Sequence, residues 1–511
     1  MSATRTKKAF INTFALATKE VVALLCNFLL PRLILGYFGS TYNGLISSIT
    51  QFLNIVSILK IGVAGSTRVE LYKSLSEHDS NKTSSVINAT QRYMARTGLI
   101  VLIYFLVLTV VYPLVFRAEI SYIDVLVLVV ALGATAFSQY VIGTTYTCLL
   151  VADQRAHVIY FGETAVNIVA TVTSCLLILV GWNLPWVKLV ACLIWIIYPL
   201  FLYFYCHKKY KINKKIQPME GMGKKRRYAM AHSIANIIHD NVDIFCLTIF
   251  CSPAIVSVYA VYRLVMNGIR QVLAVFTNTL EAPFGDLIAR NKNDLVEANL
   301  STYEFISGGF VGTIYPIAAC LLLPFIALYT RGVTDVQYIL PIYAVLIIAS
   351  ESVYALRGPY QTIIQAAGHY KQTRIHAYIE AGINLVVTII FINMLGIVGA
   401  VIGTLCANLY RTIVYCAYSS KKIVTRGSGY YFNRVLWILL LFFTIFIVAN
   451  KLNSFIGYDS WYKWIICGFM DVTIALIVFL ITSPILYKED FSRMLLKAKS
   501  LFHFRKVKKH E

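Results

Sequence analysis

The sequence predicts an all-α integral membrane protein with about fourteen transmembrane helices. Three observations lead there. Of its 511 residues, 58% are hydrophobic and only 14% charged, too few to clothe a soluble chain of this length. Apolar runs of ~20 residues, each long enough to cross a bilayer, alternate with short polar segments along the chain. A short pattern also recurs six spans apart, as two sets of helices of like orientation would require.

The runs centre near residues 22, 54, 105, 136, 168, 196, 240, 266, 316, 351, 385, 408, 443 and 474. An even number places both termini on one side. Lys and Arg are retained in the cytoplasm, and roughly 34 of the 46 basic residues fall in the termini and alternate loops, against about 6 in the other loops. Both termini are therefore expected to be cytoplasmic. The basic N-terminus "RTKKAF" leads into a run that carries Lys19 and Glu20 without a small-residue cleavage site, so it reads as a first span and not a removable signal.

The densest basic cluster, "KKYKINKK" followed by "GKKRR", joins spans six and seven. It divides the chain into an N-terminal lobe (1–207), a cytoplasmic linker (208–227) and a C-terminal lobe (228–420). Two further spans (421–487) and a basic tail (488–511) complete it. In the tail, Phe491, Leu495, Ala498 and Phe502 share one helical face among basic residues, which suits an anionic membrane surface. Trp461, Tyr462 and Trp464 mark the outer interface of the last span.

Several function classes are disfavoured. The net charge of +22 sits in clusters between apolar runs, a topological pattern rather than a nucleic-acid-binding stripe. The eleven Cys show no C-x-x-C and no metal-ligand spacing with His. Outward loops are no longer than about 10 residues, which disfavours a membrane glycosyltransferase or polymerase, since such an enzyme usually needs a sizeable external loop or domain for its catalytic carboxylates.

"YFGETAVNIVATV" (160–172) and "AYIEAGINLVVTI" (377–389) each place a Glu four residues before an Asn, in spans five and eleven. Spans six apart run the same way, so the duplication is parallel, about an axis along the membrane normal.

Six basic residues, Lys19, Lys60, Arg263, Arg270, Arg357 and Arg411, lie inside the spans. Glu20, Glu163, Asp240, Asp243, Glu351 and Glu380 are their acidic counterparts, with Asp471 isolated in the last span. A charge at a helix centre costs at least ~2.5 kcal/mol, so these groups are expected to line a wet or polar interior. Stripes at helical spacing agree: Tyr259, Arg263, Asn267, Arg270, Thr277 and Glu281 in span eight, and Tyr354, Arg357, Gln361 and Gln365 in span ten. Span two adds Asn43, Ser47, Thr50, Asn54 and Ser57, with Lys60 a turn further. Structural salt bridges are the competing reading for any one of these charges, Lys19 with Glu20 or Arg357 with Glu351.

Residues 37–79, 241–265 and 380–404, the last containing "LGIVGAVIGT", resemble the polysaccharide-transport family of Wzx-like flippases for O-antigen, capsule and exopolysaccharide units. That family belongs to the multidrug/oligosaccharidyl-lipid/polysaccharide (MOP) exporter superfamily. The resemblance covers about residues 5 to 425 and implies a MATE-like fold: two six-helix lobes related by a pseudo-two-fold along the membrane normal, plus two C-terminal helices. It further implies alternating access in the bacterial inner membrane and coupling to a proton or sodium ion. Its cargo would be an undecaprenyl-pyrophosphate-linked oligosaccharide. No enzymatic activity, cofactor or metal is implied, and other polysaccharide-assembly proteins are expected partners beside membrane lipids.

With that cargo, Arg263, Arg270 and Arg357 are expected to grip phosphate, since guanidinium matches its oxygens in a bidentate way. Lys60, Lys19 and Arg411 would supply the attractive field, with Asn267 and Tyr259 beside the cargo. Asp240, Asp243, Glu351, Glu20 and Glu380 are the candidate ion-coupling groups. A MATE-like exporter of organic cations is the first alternative, and a membrane glycosyltransferase or polymerase the second.

Overall fold

The computed structural model describes residues 2–77, 79–116, 119–219, 241–277, 284, 287, 288, 290, 293–424, 426 and 428–496. Among these the chain is helical without strands. Among the described residues ten helices are long and apolar enough to cross a membrane, and the protein is a multi-pass membrane protein. Asp240, Glu281, the linker from residue 220 onward, and Ala498 and Phe502 of the tail lie outside the described residues.

By internal contact the chain divides into two compact units. Unit 1 comprises Met1–Ala260 with Gly332–Val336; unit 2 comprises Val261–Arg331 with Gln337–Glu511. Unit 1 contains α1 (Ser2–Asn54), α2 (Ser57–Ser76), α3 (Ser80–Val115), α4 (Tyr122–Ser138), α5 (Thr144–Ala152), α6 (Ala156–Leu179), α7 (Leu184–Tyr210) and α8 (Asn241–Phe250). The chain continues through α9 (Pro253–Thr277), α10 (Asn293–Tyr329), α11 (Pro341–Leu356), α12 (Gly358–Ala366), α13 (Tyr370–Leu395), α14 (Ile397–Lys422), α15 (Ser428–Ile456) and α16 (Trp461–Leu486).

Unit 1 holds two breaks that sequence reading runs together. Gly39 adopts φ 80°, ψ −178° inside α1, a conformation open to glycine and strained for other residues. The helix restarts at Ser40, whose N–H and Oγ each donate to Asp335 at 2.6 Å, so a carboxylate caps the new N-terminus. The second break corrects the run centred near 54. That run is not one straight helix: α1 ends at Asn54, and the bonds Ile55 N to Phe52 O and Val56 N to Leu53 O tighten the chain before α2 starts. Asn43, Ser47 and Thr50 thus precede the break and Lys60 follows it, so they do not form one continuous helical stripe. The interior of this region is apolar, built on Leu45, Ile49, Val63, Phe105, Leu128 and Tyr140.

A five-residue π segment, Gln139–Gly143, joins α4 to α5. Such bulges re-aim side chains and recur at functional sites.

In unit 2 the α13–α14 hairpin is unusually close. A Cβ at Gly399 would lie 2.3 Å from the Phe391 backbone, and one at Gly403 would lie 2.8 Å from Thr388 N. The Gly-x-x-x-Gly spacing on α14 therefore lets two backbones touch, which brings Glu380 of α13 beside Arg411 of α14. In α10, α15 and α16, Phe305 stacks on Trp437 at 5.1 Å, and Trp464 Nε1 donates to Leu321 O at 3.1 Å. Trp464 is thus a packing residue. Asp471 receives the Asn453 amide at 3.0 Å on both oxygens, joining the two last helices to each other.

Candidate functional site

Helix α9 carries Arg263 and Arg270 seven residues apart, roughly 10.5 Å along its axis. Between them reaches Glu351 of α11. Arg263 Nη1 donates to Glu351 Oε1 at 2.9 Å, Arg270 Nη2 donates to the same oxygen at 2.7 Å, and Arg270 Nε donates to Oε2. The carboxylate is 2% exposed and each guanidinium side chain 17%, so the acid is sealed behind its two bases.

One turn beyond Glu351 stands Tyr354. Its ring centroid lies 4.2 Å from the guanidinium carbon of Arg270 and 4.4 Å from that of Arg357. Arg357 occupies the junction of α11 and α12, where Gly358 and Pro359 open the next helix. Proline is tolerated in a first turn because its missing N–H would have no partner there. Arg357 Nη1 donates to Glu380 Oε1 at 2.6 Å, and Arg411 Nη1 donates to Oε2 of the same carboxylate. Arg411 Nη2 reaches the Tyr415 hydroxyl at 2.8 Å.

The result is one continuous chain of contacts: Arg263, Glu351, Arg270, Tyr354, Arg357, Glu380, Arg411, Tyr415. In this chain four guanidinium groups meet two carboxylates, each carboxylate bridging two arginines.

Unit 1 gathers the others around Glu163 of α6. Lys19 lies 3.1 Å from Glu163 and 3.6 Å from Glu20, and Tyr198 donates to Glu163 at 3.3 Å. Lys60, Arg68, Gln139, Glu163 and Tyr198 line a cavity of about 250 Å³ beside the π segment. Asp243 is buried and receives the Tyr259 hydroxyl at 3.4 Å, while Asn267 is exposed.

The structure therefore brings Arg263, Arg270, Arg357 and Arg411 together with Glu351 and Glu380, and places Lys19, Glu20 and Lys60 in a separate set. Of the salt bridges considered from sequence, Lys19 with Glu20 is present, beside a closer contact of Lys19 with Glu163, whereas Arg357 meets Glu380 and not Glu351. Both glutamates of the six-span repeat, Glu163 and Glu380, serve as anions that collect cations. Tyr415, Tyr198, Arg68 and Gln139 were not legible as site residues. Nor was a third cluster in which Arg426 meets Glu297 at 3.0 Å and Glu304 at 2.8 Å and Arg434 meets Asp490 at 2.5 Å. The four-residue steps Arg426, Tyr430, Arg434 and the seven-residue step Glu297, Glu304 were its available signal.

No family model matches the sequence, and no curated protein does. Solved structures do share the fold. The lipid II flippase MurJ in an inward closed conformation superposes with TM-score 0.67 at 14% identity, covering 94% of this chain and 99% of its own. An inward-facing MATE-family multidrug resistance transporter of the MOP superfamily gives TM-score 0.59 at 14% identity, over 79% and 94% of the two chains. A MOP superfamily transporter from Pyrococcus furiosus, described as having a binding pocket of reverse polarity, gives 0.59 at 14% identity, over 83% and 97%. The chain has the fold of these transporters.

Proposed function

We propose that this protein is a lipid-linked oligosaccharide flippase that moves undecaprenyl-pyrophosphate-linked glycan units across the bacterial inner membrane by alternating access, with both termini in the cytoplasm. The observation that carries the reading is the gathering of four arginines into one connected chain in unit 2, since guanidinium groups suit the oxygens of a diphosphate. Arg263 and Arg270, the more exposed pair, take the phosphate. Arg357 and Arg411 hold the field in unit 2, and Lys19 and Lys60 supply a basic field of their own in unit 1. Asn267 and Tyr259 lie beside the cargo. Glu351 and Glu380 hold the arginines when cargo is absent; these two with Glu20, Asp240 and Asp243 are the groups through which a proton or sodium gradient acts.

The likeness to MATE transporters keeps one second reading, export of organic cations. A site built on four arginines disfavours that cargo, because a cation brought to it meets like-charge repulsion from the guanidinium groups. The test is the leaflet distribution of lipid-linked oligosaccharide in cells lacking the protein. Accumulation on the cytoplasmic leaflet supports the flippase. An unchanged distribution together with new sensitivity to cationic drugs would replace it with the exporter.

A further inference from the structure

A cavity of about 540 Å³ in unit 2 lies among α10, α12, α14 and α15, within the ~300–1,000 Å³ range of ligand pockets. Its walls include Ile413, Phe432 and Val435, which are 64%, 66% and 48% exposed. In a membrane-spanning chain such side chains meet lipid, so the cavity opens sideways to hydrocarbon. Its other end is polar. Arg434, 5% exposed, donates through Nη2 to Asp490, Ser301 and Tyr430. Its Nε and Nη1 are buried with no hydrogen-bond partner among the described residues. Glu304, also 5% exposed, accepts from Arg426 on Oε2, while its Oε1 has no such partner.

Buried donors and acceptors are almost always satisfied. Two unmatched guanidinium nitrogens and one unmatched carboxylate oxygen therefore ask for a ligand bearing both an acceptor and a donor. Lys421 lines the same cavity from the last turn of α14, exposed and in no ion pair among the described residues. Arg434 stands six residues, roughly 9 Å along the helix, inside the start of α15, a depth suited to the headgroup boundary.

We infer that this cavity binds one anionic phospholipid bearing a headgroup hydroxyl, such as phosphatidylglycerol: an acyl chain fills the apolar side, phosphate oxygens accept from Arg434 and Lys421, and the hydroxyl donates to Glu304. The inference stands apart from the identity of the cargo, and its test reads lipid binding and not export.

The full-length protein is purified in neutral detergent and offered phosphatidylglycerol or phosphatidylcholine of the same acyl composition, and retained lipid is counted by native mass spectrometry. Wild type is expected to keep one phosphatidylglycerol in preference to phosphatidylcholine. Lys421→Gln, at an exposed position, is expected to lower that preference roughly fivefold, the loss of one interfacial cation worth about 1 kcal/mol. Ala417→Trp, which fills the cavity, is expected to abolish retention with unchanged helicity. Equal retention of both lipids, or the same retention in wild type and both variants, overturns the site. Displacement of the phospholipid by a polyprenyl pyrophosphate also overturns it, since the cavity then belongs to the cargo.

Discussion

The guanidinium carbon of Arg270 lies 4.2 Å from the ring centroid of Tyr354, and that contact joins two salt-bridge triads into one chain. Cation–π attraction of this kind is worth ~0.5–1 kcal/mol when exposed and ~2 kcal/mol or more when desolvated. Tyr354→Phe keeps the ring and is expected to export glycan at close to the wild-type rate. Tyr354→Leu removes the ring from both Arg270 and Arg357 and is expected to lower export and melting temperature. Indistinguishable Phe and Leu variants would show that the ring does not hold the triads together.

Glu380 is fully buried between Arg357 and Arg411. Its replacement by Ala leaves two buried cations uncompensated, a loss of about 3–5 kcal/mol. Thermal unfolding in detergent should show a large drop for Glu380→Ala and a partial recovery in Glu380→Ala/Arg411→Met, which removes one stranded charge. Additive losses in the double variant would mean that the two side chains do not interact.

The close approach of α14 to α13 predicts contrasting glycine substitutions. Gly403→Leu forces the hairpin apart and is expected to lower the melting temperature strongly. Gly382→Ala, on α13 with nothing within 4 Å of the added carbon, is expected to leave it unchanged or slightly raised. Equal effects would place the helices further apart than described.

Asp471 and Asn453 form a buried polar pair between the last two helices. Polar contacts between membrane helices average ~0.6 kcal/mol. The double variant Asp471→Leu/Asn453→Leu, which strands neither partner, is expected to unfold near the wild-type temperature and to export normally. Loss of export in a stably folded double variant would assign Asp471 a transport role.

The helical membrane fold was open to sequence reading because its signals are local: run length, apolar content and the spacing of charges each act within a single span. Arg263 and Arg270 could be read as one face of a helix for the same reason. What sequence could not supply was pairing across helices. Glu351 and Arg357 are six residues apart, yet the break at Gly358 and the Gly-x-x-x-Gly contact of α14 send Arg357 to Glu380. The bend at Gly39 depends on Asp335, nearly 300 positions away, and no local pattern announces it. Arg426 and Arg434 lie near span ends, where positive residues ordinarily report topology; their burial against Glu304 and Asp490 is a tertiary event.

The most direct measurement is translocation of a polyprenyl-pyrophosphate-linked oligosaccharide by the purified protein in liposomes, with wild type compared to Arg270→Gln. Wild type should move the pyrophosphate-linked lipid, and Arg270→Gln should insert and fold normally yet lose most of that activity. Movement by the variant at the wild-type rate, or transport of an organic cation with no movement of the lipid, would contradict an anion-gripping role for the arginine chain.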